Sequence, residues 1–439
     1  MDVLVIGPSA VRTRVTRQRV SLAVGSLTLF TLLTVGRVVE VFPSLHLALV
    51  TGVLACGFAL ALPRSKGPSL LRIAQVRFAF GLLAIAILTI PFSLWPGGSL
   101  DHVLNTHLKL VIFFFLLAYC VRSQRDAATA VSGFFGGILA LQLWVLVFNV
   151  KARAQVTQTY DPNDIAFIMV CAIPLAVSIA IYGQGIARPL AGLIAGVGVL
   201  VTALTESRGG FVGVALVGAI ILIRFAKRRP FSAFAALLAM ALILAILAPE
   251  RYWQRMGTIW GSGLASGPSA DYDMAGLKEA RLTIWMKGLK LTLDHPILGV
   301  GAGVFQVAEA RTHAQRGRWE TAHNSFLQVS AELGLGGLAL FLLLLYSGVR
   351  SCRAVIRRAR RDPRVRPYLW LAHGLEISLY GYAIAGFSLS HAYSWTLYFL
   401  LGMTVALNRV TAWRTAPAPA GAALHGMGVP TSRAGTILP

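Results

Sequence analysis

Long apolar runs recur along this chain from residue 20 to residue 411. In hydrocarbon every backbone N–H and C=O must be satisfied within the chain, so apolar runs of about 17–25 residues fold as helices. Twelve runs qualify: 20–38, 45–62, 73–95, 107–121, 130–150, 163–183, 188–205, 210–226, 231–248, 324–349, 368–388 and 393–411. They predict an all-α polytopic membrane protein of about 12 transmembrane helices. Their continuity excludes a β-barrel, whose strands alternate apolar and polar residues. The mean hydropathy of +0.69 agrees. So does a charged fraction of 13%, against about 25% in a soluble domain. The Gly, Ala and Leu content suits helix packing in lipid.

The net charge of +23 invites a nucleic-acid reading, but the charges sit in short clusters between the spans, where membrane lipid and topology account for them. No nucleic-acid partner is expected. Arg12, Arg14, Arg17 and Arg19 precede the first span, whose length and flanks do not match a removable signal. Arg64, Lys66 and Arg72 follow, then Arg122 and Arg125, Arg188, and Arg224 with residues 227–229. Eight arginines lie between Arg350 and Arg366, and Arg409 and Arg414 close the series. Loops 39–44, 96–106 and 389–392 have almost no Lys or Arg. Positive charge gathers on the cytoplasmic side, so both termini are expected there and residues 250–323 outside. The expected division is spans 1–9 within residues 1–249, an external and partly helical loop at 250–323, spans 10–12 within 324–414, and a disordered tail at 415–439. Cys56, Cys120, Cys171 and Cys352 read as packing residues, their spacing suiting neither a metal nor a disulfide framework.

Residues 250–337 hold the largest polar stretch. It opens with Glu250-Arg251-Tyr252-Trp253-Gln254-Arg255, continues through a flexible connection at 261–273, and predicts a helix over 275–293. There Arg281 and Trp285 share a face, with Lys278 one turn earlier. Asp294-His295-Pro296 stops the helix. Gly299, Gly301 and Gly303 then allow a tight turn or close backbone approach to a ligand. His323-Asn324-Ser325 opens the next span, where Asn324 or Ser325 caps the helix. A helix start suits an anion. His323 reads either as an interfacial residue or as an imidazole that orients or deprotonates a hydroxyl. Thr205-Glu206-Ser207-Arg208-Gly209-Gly210 interrupts two spans at the same face, either as a wetted turn or as the lining of a cavity. Tyr160-Asp161-Pro162-Asn163-Asp164 reads as a capped helix start or as part of a site. His295, His313 and His323 are too scattered for a metal site, and no paired carboxylates stand out. Glu320, one turn before His323, is the nearest carboxylate in sequence. Arg208, Arg251, Arg255 and Arg281 instead suit a phosphorylated head group.

These motifs resemble the O-antigen ligase family, within the O-antigen ligase and polymerase superfamily. The resemblance rests on Ser207-Arg208-Gly209-Gly210, on Arg281 and Trp285 ahead of Asp294-His295-Pro296-Ile297-Leu298-Gly299, and on His323-Asn324-Ser325-Phe326-Leu327-Gln328 ahead of Glu332-Leu333-Gly334-Leu335-Gly336-Gly337. It also rests on a long external loop late among the spans. The motifs cover mainly residues 160–340. The resemblance implies a GT-C-type glycosyltransferase of the bacterial inner membrane, with its site facing the periplasm. Its donor would be O-antigen on undecaprenyl pyrophosphate and its acceptor a sugar hydroxyl of lipid A–core, joined with inversion and without metal or other cofactor. His323 matches the family's essential histidine, and Arg208 and Arg281 match its basic positions. Arg251 or Arg255 matches a further loop arginine. Lys278, Asn163 and Asn324 join these as candidate substrate contacts. Alternatives are an O-antigen polymerase, a protein O-oligosaccharyltransferase and, outside enzymes, a 12-span transporter.

Overall fold

A computed structural model describes residues 21–63, 69–148, 161–226, 230–248, 250–257, 282–313 and 320–415. Every regular element assigned among them is helical. The main helices are α1 (Leu22–Val35), α2 (Leu47–Leu60), α3 (Ala74–Thr89), α4 (Leu108–Cys120), α5 (Gln124–Phe148), α6 (Pro162–Tyr182), α7 (Ala187–Leu204), α8 (Arg208–Ala226), α9 (Pro230–Leu247), α10 (Glu250–Gly257), α11 (282–294), α12 (Phe305–His313), α13 (Ser325–Arg361), α14 (Leu369–Gly386) and α15 (Trp395–Thr415).

Each of the twelve apolar runs carries a helix, but only eight helical segments among the described residues are long and apolar enough to cross a membrane. The polytopic class stands on these eight. Leu22–Val35, with 14 residues, falls short of that length. The Ser325–Arg361 segment runs past the expected end at 349, because the arginines beyond it continue the helix, as good helix formers do. The predicted connection at 261–273 and the tail beyond residue 415 lie outside the described residues, and of the predicted helix over 275–293 the described part begins at residue 282.

Helix α6 is central. It starts on Pro162 behind Asp161, whose carboxylate accepts the N–H groups of Asn163 (2.6 Å) and Asp164 (2.9 Å). The Asp164 side chain returns the bond to the Asp161 N–H at 3.0 Å, completing a capping box. Fourteen of its 21 residues are buried, and it packs against α14 and α7. The contact with α14 is close because Gly374 faces Leu175: a Cβ there would stand 2.5 Å from Leu175 Cδ1 and 2.9 Å from its Cα. At the basic end of the bundle, Glu376 of α14 is fully buried. It meets Arg224 of α8 and Arg353 of α13, the latter at 2.9 Å, and the Tyr380 hydroxyl donates to it at 2.9 Å. Such a buried carboxylate ties three helices together and leaves a costly orphan if its partners are removed.

Part of the polar stretch also packs on the bundle. Gly288 of α11 lies against Leu327, and the Thr292 and Ser330 hydroxyls are 3.0 Å apart. The other face of α11 keeps Leu282, Met286, Leu289 and Leu293 exposed. An apolar stripe beside the first turns of a span suits the lipid interface better than open water.

The Gly374 contact yields a test. Gly374→Val overpacks the α6–α14 seam and is expected to destabilise by roughly 1–3 kcal/mol or more, read as a lowered Tm in detergent. Gly57→Ala, which would point into open space, should leave Tm unchanged or slightly raised.

Candidate functional site

Three helix starts meet at the end of the bundle opposite the Glu376 cluster. The first is the capped start of α6. The second is the start of α8, where the Ser207 hydroxyl accepts the Gly210 N–H at 3.2 Å and donates to Asn163 Oδ1 at 2.8 Å. One hydroxyl thus caps α8 and fastens it to α6. Both glycines of this motif are needed for close approach. A Cβ on Gly209 would lie 2.6 Å from Ser388 Oγ, and one on Gly210 2.6 Å from the Ala166 Cβ.

The third start is α13. Asn324 Oδ1 accepts the N–H groups of Phe326 (2.9 Å) and Leu327 (3.1 Å), so its carbonyl oxygen is held by the helix. Ser325 is buried and reaches the loop 387–394. Its hydroxyl donates to the Leu389 carbonyl at 2.6 Å and accepts the His391 N–H at 2.9 Å. The His391 ring stacks on Phe167 of α6, with centroids 4.0 Å apart and planes 11° apart. Its Nε2 is 2.8 Å from Asp164 Oδ1. Contacts therefore run without a gap from Ser325 through His391 to Asp164 and Asn163, and on to Ser207.

Arg208 follows Ser207 directly, and His323 stands two residues before Ser325. His323 has φ 45°, with Nε2 3.2 Å from Thr321 Oγ1. Glu206, buried beside Arg208, has φ 52°. These are two of the four non-glycine residues in the left-handed region among those described. Each such residue costs on the order of 1–3 kcal/mol, and strain of this kind collects at functional sites.

The glycine turn has a structural part. Helix α13 opens at Gly334 (φ 70°, ψ −175°), which frees carbonyls one turn earlier. The Val300 N–H donates to the Ala331 carbonyl at 2.8 Å and the Gly301 N–H to that of Glu332 at 3.0 Å. In return the Leu335 N–H donates to the Pro296 carbonyl at 2.8 Å. Ser93 and Ser99 brace the turn from the far side, at the carbonyls of Val300 (3.2 Å) and Ala302 (2.9 Å). The close approaches these glycines make are within the protein, Gly299 to Glu332 of α13, Gly301 to Ser93 and Ser99, and Gly303 to His102.

The structure thus joins the neighbourhoods of Arg208, Asn163, Asn324 and His323. Asn163 Oδ1, like Asn324 Oδ1, already accepts a protein hydrogen bond. Arg251 and Arg255 belong to α10, but their side chains lie outside the described ones, as do Arg281 and Lys278 altogether. Helix α10 docks through Tyr252 and Met256 near Ala203 and Phe211, so its backbone stands beside the Arg208 turn. Burial pushes the Tyr252 phenol above its usual range, which keeps it neutral. Of the loop 387–394, residues 389–392 with His391 were read in the sequence only as a connection poor in Lys and Arg, and Ser388 as the end of the span before it. A histidine in the run Ser390-His391-Ala392-Tyr393 between two spans was the available signal.

These features define a polytopic helical membrane protein with a polar site at one end of its bundle. Residues 190–342 match the family model described as O-antigen ligase. That match supports the O-antigen ligase and polymerase superfamily, whose members are membrane glycosyltransferase-like enzymes. The matched stretch includes Arg208, the glycine turn and His323, and excludes Asn163, Asp164 and His391. No curated protein matches the chain.

Ser325→Ala removes both bonds to the return loop. Leaving buried partners unsatisfied costs about 1–3 kcal/mol. We expect faster hydrogen exchange across 387–394 with little change in the middle of α14, measured by mass spectrometry on the purified protein.

Proposed function

We propose that this chain is an O-antigen ligase of the bacterial inner membrane, of the GT-C type, with both termini cytoplasmic and its site facing the periplasm. It transfers O-antigen polysaccharide from undecaprenyl pyrophosphate to a sugar hydroxyl of lipid A–core, with inversion and without metal. The observation that carries this reading is the linkage, through Asn163, Asp164 and His391, of the Arg208 and His323 helix starts, both of which lie in the stretch that matches the O-antigen ligase family.

The chemistry is consistent with such a site. Pyrophosphate gathers negative charge as it departs, and fixed cations and helix N-termini stabilise that charge in the transition state. Arg208 and Arg281 serve this role, with Arg251, Arg255 and Lys278 gathering the phosphates. Asn163 and Asn324 hold the two helix starts in register beside the substrate. His323 orients the acceptor hydroxyl, and correct placement of two reactants supplies much of the rate in such a transfer.

The test uses the full chain in nanodiscs, a lipid-linked glycan donor and two acceptors offered separately, lipid A–core and a lipid-linked repeat unit. Transfer to lipid A–core is expected. Transfer only to the lipid-linked repeat would make the protein a polymerase instead. His323→Ala, Arg208→Ala and Arg281→Ala should each lower turnover by roughly 10²-fold or more, while still inserting and purifying as folded protein. EDTA should leave the wild-type rate unchanged. Undiminished turnover in all three variants would remove the proposed site.

A further inference from the structure

An inverting transfer needs an acceptor oxygen that sheds its proton as the new bond forms. A histidine does this best when a carboxylate engages one ring nitrogen and the other nitrogen faces the substrate. His391 offers the first half of that arrangement, a ring nitrogen 2.8 Å from the Asp164 carboxylate though not in hydrogen-bond geometry with it. Asp164 divides its carboxylate between two tasks: Oδ2 accepts the Asp161 N–H in the helix cap, and Oδ1 lies 2.8 Å from His391 Nε2. The capping box therefore fixes the carboxylate before any ligand arrives. The ring plane is fixed by Phe167. The His391 backbone is fixed on both sides, its N–H by Ser325 Oγ and its carbonyl by the Tyr382 hydroxyl at 3.2 Å. With Nε2 at Asp164, the Nδ1 edge is the one left for an acceptor. His391 keeps 13% of its side-chain surface exposed, so the ring is sheltered without being sealed.

Resting on the transferase reading above, we propose that His391 is the general base of the transfer and that Asp164 is its positioning residue. As the bond between the anomeric carbon and the pyrophosphate oxygen breaks, its electron pair leaves with the pyrophosphate. The acceptor oxygen forms the new glycosidic bond from the opposite face. The acceptor's proton passes to His391 Nδ1, and the imidazolium is held against Asp164 until it releases that proton to water. His323 places the hydroxyl and His391 takes its proton, so the two histidines divide the work.

The experiment is steady-state kinetics on the full chain in nanodiscs, with the donor and whichever acceptor the wild type uses, for His391→Gln, Asp164→Asn and the double variant. Each rate is normalised to folded protein by size-exclusion chromatography and thermal melting. We expect His391→Gln to lower kcat by about 10²–10⁴-fold, with KM for both substrates within about twofold of wild type. Asp164→Asn should lower kcat less, and the double variant should be no slower than His391→Gln, because the pair acts as one unit. Wild-type kcat in His391→Gln, or a raised KM at constant kcat, would overturn the proposal and leave the pair as a tether for the loop. If His391→Gln does not fold, Asp164→Asn decides alone: a lowered kcat at constant KM supports the base, and wild-type kcat overturns it. A wild-type protein that joins glycan to no acceptor would instead overturn the transferase reading itself.

Discussion

Lipid offers no water to an open backbone, so each place where a helix starts or breaks within this bundle must bring its own hydrogen-bond partners. That constraint shapes the site. Asp161, Ser207 and Asn324 cap three helices with their own side chains. The break at Gly334 frees carbonyls that the 296–301 turn then fills. Ser325 satisfies two backbone groups of the return loop with one hydroxyl. Polar side chains are gathered at this end because the chain needs them there, and the same gathering makes a place for a polar head group.

Capping also gives the site its rigidity. Asn163 is held by Ser207, Asp164 by Asp161, and His391 by Phe167, Ser325 and Asp164. Each side chain is positioned by groups that serve the fold, so little ordering remains when a substrate binds. The opposite end is built on other terms. There Glu376 joins three helices through two arginines and a tyrosine, and the arginine-rich end of α13 extends beyond the apolar span. The bundle thus has a clamped basic end and a capped polar end.

The helices were legible in the sequence because apolar length is a local property, and each of the twelve runs carries one. Their crossing was less legible. Only eight segments reach spanning length and apolarity among the described residues; the helix in the first run, for one, stops at Gly36 after 14 residues. The motifs at Arg208 and His323 were legible too, as polar residues at the ends of apolar runs. What local reading missed lies in long-range pairing. Asp164 and His391 are far apart in the chain, and nothing near either one names the other. The Gly334 break was hidden inside what read as one continuous span. The glycine turn was open to a ligand reading because its partner, the broken helix, was not visible.

The most direct test of the central claim, that phosphate and acceptor meet at the three joined helix starts, is a cryo-electron microscopy structure of the full chain in a nanodisc with a bound polyprenyl pyrophosphate. The phosphates should lie against Arg208 and the start of α8, with open space beside them bordered by His323 and His391. Phosphates held instead at the basic end of the bundle, among Arg224, Arg353 and the arginines that follow, would contradict the account.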